Sequence, residues 1–135
     1  MNFFRLTGVL LSIILLCQAP LKAQNAPRTP EQQAKQMLEY VDKEVTRLSE
    51  MLSLEYWQEF LVDSTLTHDY NAMALELQAL QSAKVENAEL YSGIRDKWLE
   101  QIDLSYKRIF NEAQWNKYWK SGAARAKKAR DKRKK

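Results

Sequence analysis

The chain has few of the residues from which active sites and disulfide frameworks are usually built. Its 135 residues include one cysteine, one histidine and three glycines. Gly8, Gly93 and Gly122 are too far apart to form a glycine-rich loop that holds a phosphate. A single histidine gives no two-histidine metal pattern, so a zinc or iron site has no obvious set of ligands. We therefore expect no enzyme, no catalytic residues, no cofactor and no metal site.

The histidine, His68, has acidic neighbours in Asp69 and Asp63. Residues that are adjacent in sequence do not face each other on a helix, so His68 and Asp69 do not suggest a catalytic pair. We interpret His68 as a solvated histidine in a linker between two helices.

The first 23 residues have the pattern of a secretory signal peptide. Arg5 gives the start a positive charge, residues 9–16 are mostly apolar, and Ala23 is a small residue directly before Gln24. The apolar run is far shorter than the roughly 20 residues that span a bilayer. We expect cleavage after Ala23 and a secreted chain that begins at Gln24.

Cleavage at that point removes Cys17, the only cysteine. The mature chain would then have no thiol for a disulfide, a thiolate metal site or a nucleophile. The alternative is a lipoprotein anchored through an acylated Cys17, although Leu16 is bulky where such signals have a small residue.

Charge is distributed unevenly along the rest of the chain. Residues 24–122 contain 11 Lys and Arg against 16 Asp and Glu, a net charge of −5, whereas residues 123–135 contain 8 against 1, a net charge of +7. This basic tail has no large apolar residue whose burial could offset the entropy lost on ordering. We expect a helical domain over residues 24–122, followed by a tail that is disordered or a frayed helix.

Helical periodicity predicts an all-α fold, a small bundle of about four helices. Thr29 and Pro30 form a helix start. A stripe of apolar residues at spacings of three and four follows it: Ala34, Leu38, Val41, Val45, Leu48 and Leu52. We predict a short second helix over residues 54–66, a link at residues 67–69, and a third helix from Tyr70 to Ile109 that Gly93 kinks or divides. A short last helix ends at Gly122.

Two predicted helix starts share one pattern, since residues 52–58 return in similar form at residues 110–116. Each copy has a large apolar residue, a capping residue and a Trp at the fourth helical position. This predicts a hydrophobic staple, in which the apolar residue packs against the Trp. These residues are Leu52, Ser53 and Trp57 in the first copy, and Phe110, Asn111 and Trp115 in the second. Gln114 completes a capping box in the second copy only.

This repeat resembles the paired Leu-Thr-x-x-Gln (LTXXQ) motifs of the Spy/CpxP family, small all-helical envelope proteins of Gram-negative bacteria. Residues 110–114 keep the apolar residue, the capping residue and the Gln, whereas residues 52–56 have Tyr56 in place of the Gln. The resemblance implies a periplasmic, ATP-independent chaperone or envelope-stress protein. It also implies a thin curved cradle, often a homodimer, that holds unfolded or envelope proteins. The family's chaperone has a basic concave surface, whereas residues 24–122 are net acidic.

Aromatic residues supply the candidate binding surface. Trp115, Tyr118 and Trp119 lie on adjacent turns and cannot all face inward from one narrow stripe, so we expect some of these rings to point outward. An exposed aromatic patch beside polar groups is typical of a binding surface. We predict that these three residues bind clients together with Trp57 and Phe60.

Two other functions fit the sequence. The long apolar stripe suits a non-catalytic helical interaction module that pairs with another helical protein or with itself. The basic tail suits a polyanion or membrane-surface binder that contacts lipopolysaccharide, acidic lipid or nucleic acid through charge alone, without a specific nucleic-acid partner. The alternative for the tail is that it binds no specific partner and only increases solubility.

Overall fold

The computed structural model describes residues 29–134, which contain helices and no β-strand. The α-helices in this part of the chain are α1 (Pro30–Leu52), α2 (Tyr56–Ser82), α3 (Ala88–Ile109), α4 (Glu112–Tyr118) and α5 (Ala124–Arg133). Residues Trp119–Ala123, which contain a kink at Gly122, join α4 to α5. The predicted all-α fold is confirmed. The predicted signal peptide, Cys17 and the cleavage site after Ala23 lie outside the described residues.

The chain divides into two units at Pro30, and the helices from Glu31 onward form the second unit. Within it, α1 has the predicted apolar stripe, of which Val41, Leu48 and Leu52 are buried. Leu38 belongs to the same stripe but is 56% exposed, and the residues of α1 before Met37 are exposed as well.

Helix α1 ends in a compact C-terminal turn. Ser53 takes a left-handed conformation with φ 52, and the amide of Leu54 donates to the carbonyl of Ser49 at 3.3 Å. This six-to-one hydrogen bond with a left-handed residue is the Schellman arrangement, which satisfies a carbonyl that would otherwise have no partner at the helix end.

Helix α2 is longer than the sequence predicted. It runs through residues 67–69, so the predicted link there is wrong. Val62, Leu66 and Asp69 are all buried, at spacings of four and three. One helical face therefore continues through the supposed link, and no glycine or proline interrupts it.

The predicted third helix is divided at Lys84 and not at Gly93. Lys84 has φ 53, and the amide of Val85 donates to the carbonyl of Leu80 at 3.0 Å, which forms a second Schellman turn. The side chain of Asn87 then caps α3 by accepting from the amide of Glu89 at 2.8 Å. Gly93 lies within α3, where a regular helix accommodates it at a cost of about 1 kcal/mol relative to alanine.

The core lies where α1, α2 and α3 meet the start of α4. Its buried side chains are Val41, Leu48, Leu52, Val62, Leu66, Ile102, Tyr106 and Phe110. The ring of Tyr106 stacks on Phe110 with 5.0 Å between centroids and meets Tyr118 edge to face at 5.3 Å. Aromatic pairs at these separations add to the stability that burial alone gives.

The basic tail is a helix and not a disordered segment, which corrects the prediction from composition. Gly122 has φ 134 and bends the chain between α4 and α5, as expected for a glycine at a helix end. The chain then continues as α5, whose Arg130 is buried and paired with Asp103 of α3. The tail has no large apolar side chain to bury, and ion pairs with α3 supply its tertiary contacts instead.

Candidate functional site

The second copy of the repeat forms the predicted helix start. Asn111 is the N-cap of α4, and its side chain accepts from the amide of Gln114 at 2.9 Å. In return, the Gln114 side-chain oxygen accepts from the amide of Asn111 at 3.0 Å. The predicted capping box is confirmed. Phe110 is buried in the core, and Trp115 packs against the same group of side chains.

The first copy starts its helix two residues later than predicted. The N-cap of α2 is Glu55, whose amide donates to Oε1 of Gln58 at 3.0 Å. Ser53 cannot cap α2, because its left-handed backbone ends α1 and an N-cap needs an extended one. The predicted staple between Leu52 and Trp57 is therefore also wrong: Leu52 belongs to the core, whereas Trp57 is exposed.

In the corrected register the two copies agree more closely. Residues 54–58 read Leu-Glu-Tyr-Trp-Gln and residues 110–114 read Phe-Asn-Glu-Ala-Gln. Each has an apolar residue, an N-cap, two variable residues and a glutamine. In both copies a glutamine follows three residues after a polar residue that can cap a helix. The prediction missed this in the first copy because it aligned Trp57 with Trp115, which places Tyr56 opposite Gln114.

The two motif glutamines, Gln58 of α2 and Gln114 of α4, form hydrogen bonds with each other. Gln58 Nε2 donates to Gln114 Oε1 at 2.8 Å, and Gln114 Nε2 donates to Gln58 Oε1 at 3.0 Å. Gln58 Nε2 also donates to the carbonyl of Ile109 at 2.9 Å, and Gln114 Nε2 lies 3.5 Å from the carbonyl of Ser53. Both side chains are buried, so this network satisfies polar groups that would otherwise be costly to bury.

An exposed aromatic surface begins directly after the first motif. Four residues at the start of α2 form it, Tyr56 (86% exposed), Trp57 (51%), Phe60 (65%) and Leu61 (40%), and we call them the aromatic surface. They follow the helical spacing of one face, whereas Gln58 and Val62, between and after them, are buried. The motif therefore fixes one face of α2 and turns the rings to solvent.

The three aromatic rings at the last predicted helix differ in their surroundings. Trp115, Tyr118 and Trp119 are all half-buried. Tyr118 faces inward, since its hydroxyl donates to Asp103 at 2.6 Å and its ring contacts Phe110. Trp115 and Trp119 stack with 5.3 Å between centroids and line a groove of about 140 Å³. Tyr118 is thus part of the packed interior, whereas Trp115 and Trp119 lie at this groove. Client binding by these three residues stays a prediction.

Four tyrosines line a second cavity, of about 190 Å³: Tyr40, Tyr70 and Tyr118 are partly exposed, and Tyr106 is buried. Burial raises the pKa of Tyr106 and of Tyr70 well above the usual value. The Tyr106 hydroxyl forms no hydrogen bond with any described residue. Removal of the phenolic proton there would place an anion in an apolar setting, so these tyrosines stay neutral and serve in packing.

His68 lies inside α2 and not in a linker. Its side chain is exposed, and its Nδ1 lies 2.8 Å from Oδ1 of buried Asp69. The prediction that these adjacent residues point apart is therefore wrong. No group of three or more His, Cys, Asp or Glu residues suited to a metal ion occurs among residues 29–134.

Comparison of the chain with protein-family models, with curated proteins and with solved structures gives no match. The resemblance to the Spy/CpxP family therefore stays a prediction from the repeat. None of the helices between residues 29 and 134 is long and apolar enough to cross a membrane.

Proposed function

We propose that this protein is a secreted periplasmic chaperone or envelope-stress protein that binds unfolded clients through the aromatic surface without ATP. The exposure of Tyr56, Trp57 and Phe60 carries this proposal. These rings lie on a helix that is anchored through its opposite face, so they contribute little to the protein's own core. Unfolded chains expose apolar side chains, and a rigid, solvent-facing aromatic patch can bind them.

The paired motif supports membership in the Spy/CpxP family. In the corrected register both copies have the glutamine of the Leu-Thr-x-x-Gln pattern, at Gln58 and Gln114. The two glutamines also share one hydrogen-bond network, which gives their recurrence a structural reason. Glu55 in place of the motif's Thr is a departure that still caps the helix.

Acidic residues beside the aromatic surface indicate which clients fit best. Glu55 and Asp63 are exposed on α2, close in sequence to the rings, and the Glu55 carboxylate accepts from the Trp57 indole at 2.6 Å. A surface with rings and carboxylates favours segments in which apolar and basic residues alternate. We therefore propose basic, unfolded envelope proteins as the preferred clients.

The test is suppression of aggregation of a chemically denatured enzyme by the purified mature protein without ATP. We expect protection near stoichiometric amounts, and its loss in the double variant Trp57→Ala/Phe60→Ala. A second variant, Tyr56→Ala/Phe60→Ala, leaves the hydrogen bond from Trp57 to Glu55 in place. Both variants should keep the unfolding midpoint of the parent, because the removed side chains are exposed.

A matched control removes exposed apolar side chains elsewhere. Leu75 on α2 and Leu90 on α3 are exposed to a similar degree, and Leu75→Ala/Leu90→Ala should leave protection unchanged. Equal protection by the parent and both aromatic variants would refute the proposal. A stable homodimer that Trp57→Ala/Phe60→Ala dissociates would instead assign the aromatic surface to self-association.

A further inference from the structure

Helix α5 carries two separate rows of positive charge. One row faces α3: Arg130 pairs with Asp103, Arg133 with Asp96 at 2.7 Å, and Lys134 with Glu100 at 2.6 Å. The other row consists of Arg125, Lys128 and Lys132, which are exposed and form no ion pair with another described residue. Their spacings of three and four place them along one side of the helix. We call this second row the outer stripe.

The paired row explains why the outer stripe is available to a partner. The carboxylates of α3 lie at spacings of four and three along one face, and each of them pairs with a cation near the end of α5. These ion pairs neutralise much of the nearby acidic charge. The docked helix also holds the outer stripe in place, so a partner would not have to order a disordered tail on binding.

We infer that the outer stripe of α5 binds an anionic lipid surface. Residues 125 to 132 span about 10 Å of helix, so the three cations can contact neighbouring headgroups of a flat surface together. The residues between them are Ala126, Lys127, Ala129, Arg130 and Asp131, none of which is a large apolar residue that would insert into the bilayer. Binding would therefore be peripheral, electrostatic and reversible by salt.

Lipid fits α5 better than nucleic acid does. The described part of α5 has no aromatic residue for base stacking and no Asn, Gln, Ser or Thr to bond a base edge or a phosphate. Its outer stripe offers one guanidinium and two ammonium groups, which suit a surface of many mobile anionic headgroups.

The test is co-sedimentation of the full mature chain with vesicles that contain phosphatidylglycerol, and with vesicles of phosphatidylcholine alone. We expect binding to the anionic vesicles only, with a steep decrease as salt is added. Each cation removed from the stripe should weaken binding about fivefold, so Lys128→Gln/Lys132→Gln should weaken it by about 25-fold. Helicity and the unfolding midpoint should stay unchanged, because these side chains are exposed.

The matched control is Lys35→Gln/Lys43→Gln. Lys35 and Lys43 are exposed on α1 and form no ion pair with another described residue, and their replacement changes the net charge by the same amount. Equal weakening by this control would show that net charge and not the outer stripe causes binding, and would overturn the inference. Unchanged binding by the α5 variant would also overturn it. Tighter, stripe-dependent binding to duplex DNA would assign α5 to nucleic acid.

Discussion

Arg130 and Asp103 form a buried ion pair that ties α5 to α3. The second carboxylate oxygen of Asp103 accepts from the Tyr118 hydroxyl at 2.6 Å. One carboxylate therefore joins residues of α3, α4 and α5. Buried ion pairs are costly to form but more costly to leave half-made, because a lone buried charge has lost both water and its partner.

Replacement of Arg130 should destabilise the whole domain. Arg130→Gln leaves the Asp103 carboxylate buried without a cation, and we expect a loss of roughly 3 kcal/mol in the free energy of unfolding. Arg125→Gln, on the exposed side of the same helix, should change it by less than about 0.5 kcal/mol. Urea unfolding followed by circular dichroism measures both. Equal midpoints for the two variants would show that α5 is not docked in solution.

Docking of α5 should weaken in acid. The hydrogen bond from Arg133 lowers the pKa of Asp96, and that from Lys134 lowers the pKa of Glu100. A carboxyl group whose pKa is lower in the folded than in the unfolded state stabilises the fold at a pH above its unfolded pKa of about 4. This stabilisation is lost as the pH falls through the pKa of the group in the folded state. We therefore expect the melting temperature to decrease below about pH 4. In Asp96→Asn the decrease should be smaller, which a series of melts measures.

The glutamine pair should show strong coupling. Gln58→Leu removes the hydrogen bonds of Gln58 to the amide of Glu55, to the carbonyl of Ile109 and to the side chain of Gln114, and should cost about 2 kcal/mol. Gln114→Leu should cost a similar amount, because it removes the hydrogen bond that the amide of Asn111 donates to the Gln114 side chain. The double variant should cost less than the sum of the two, because the hydrogen bonds between the two glutamines are lost only once and no buried side-chain amide is left without its partner glutamine. Strict additivity in the double-mutant cycle would contradict a direct pair.

The two capping positions should respond in opposite directions. Asn111→Ala removes a side-chain cap and should destabilise the domain by about 1 kcal/mol. Ser53→Gly should instead stabilise it by about 1 kcal/mol, because Ser53 has φ 52 and glycine takes this conformation without strain. Thermal unfolding of the two single variants is the measurement. A loss of stability in Ser53→Gly would support the N-cap role that the sequence suggested.

Much of the local structure followed from the sequence. The apolar stripe of α1, the capping box of Asn111 and Gln114, and the left-handed Gly122 were all predicted. These features depend on residues within a few positions of one another, through helical periodicity and backbone hydrogen bonds. Local chemistry alone was enough to determine them.

Features that depend on distant residues were decided by tertiary structure. The sequence placed the first cap at Ser53, because a Ser before a Trp is a plausible local start, whereas the network with Gln114 favours Glu55 and Gln58. Composition predicted a tail that is disordered or a frayed helix, because it counts apolar residues and contains no information on the carboxylates that lie along one face of α3. Such pairings join residues separated by tens of positions, and only the packed helices determine which of them form.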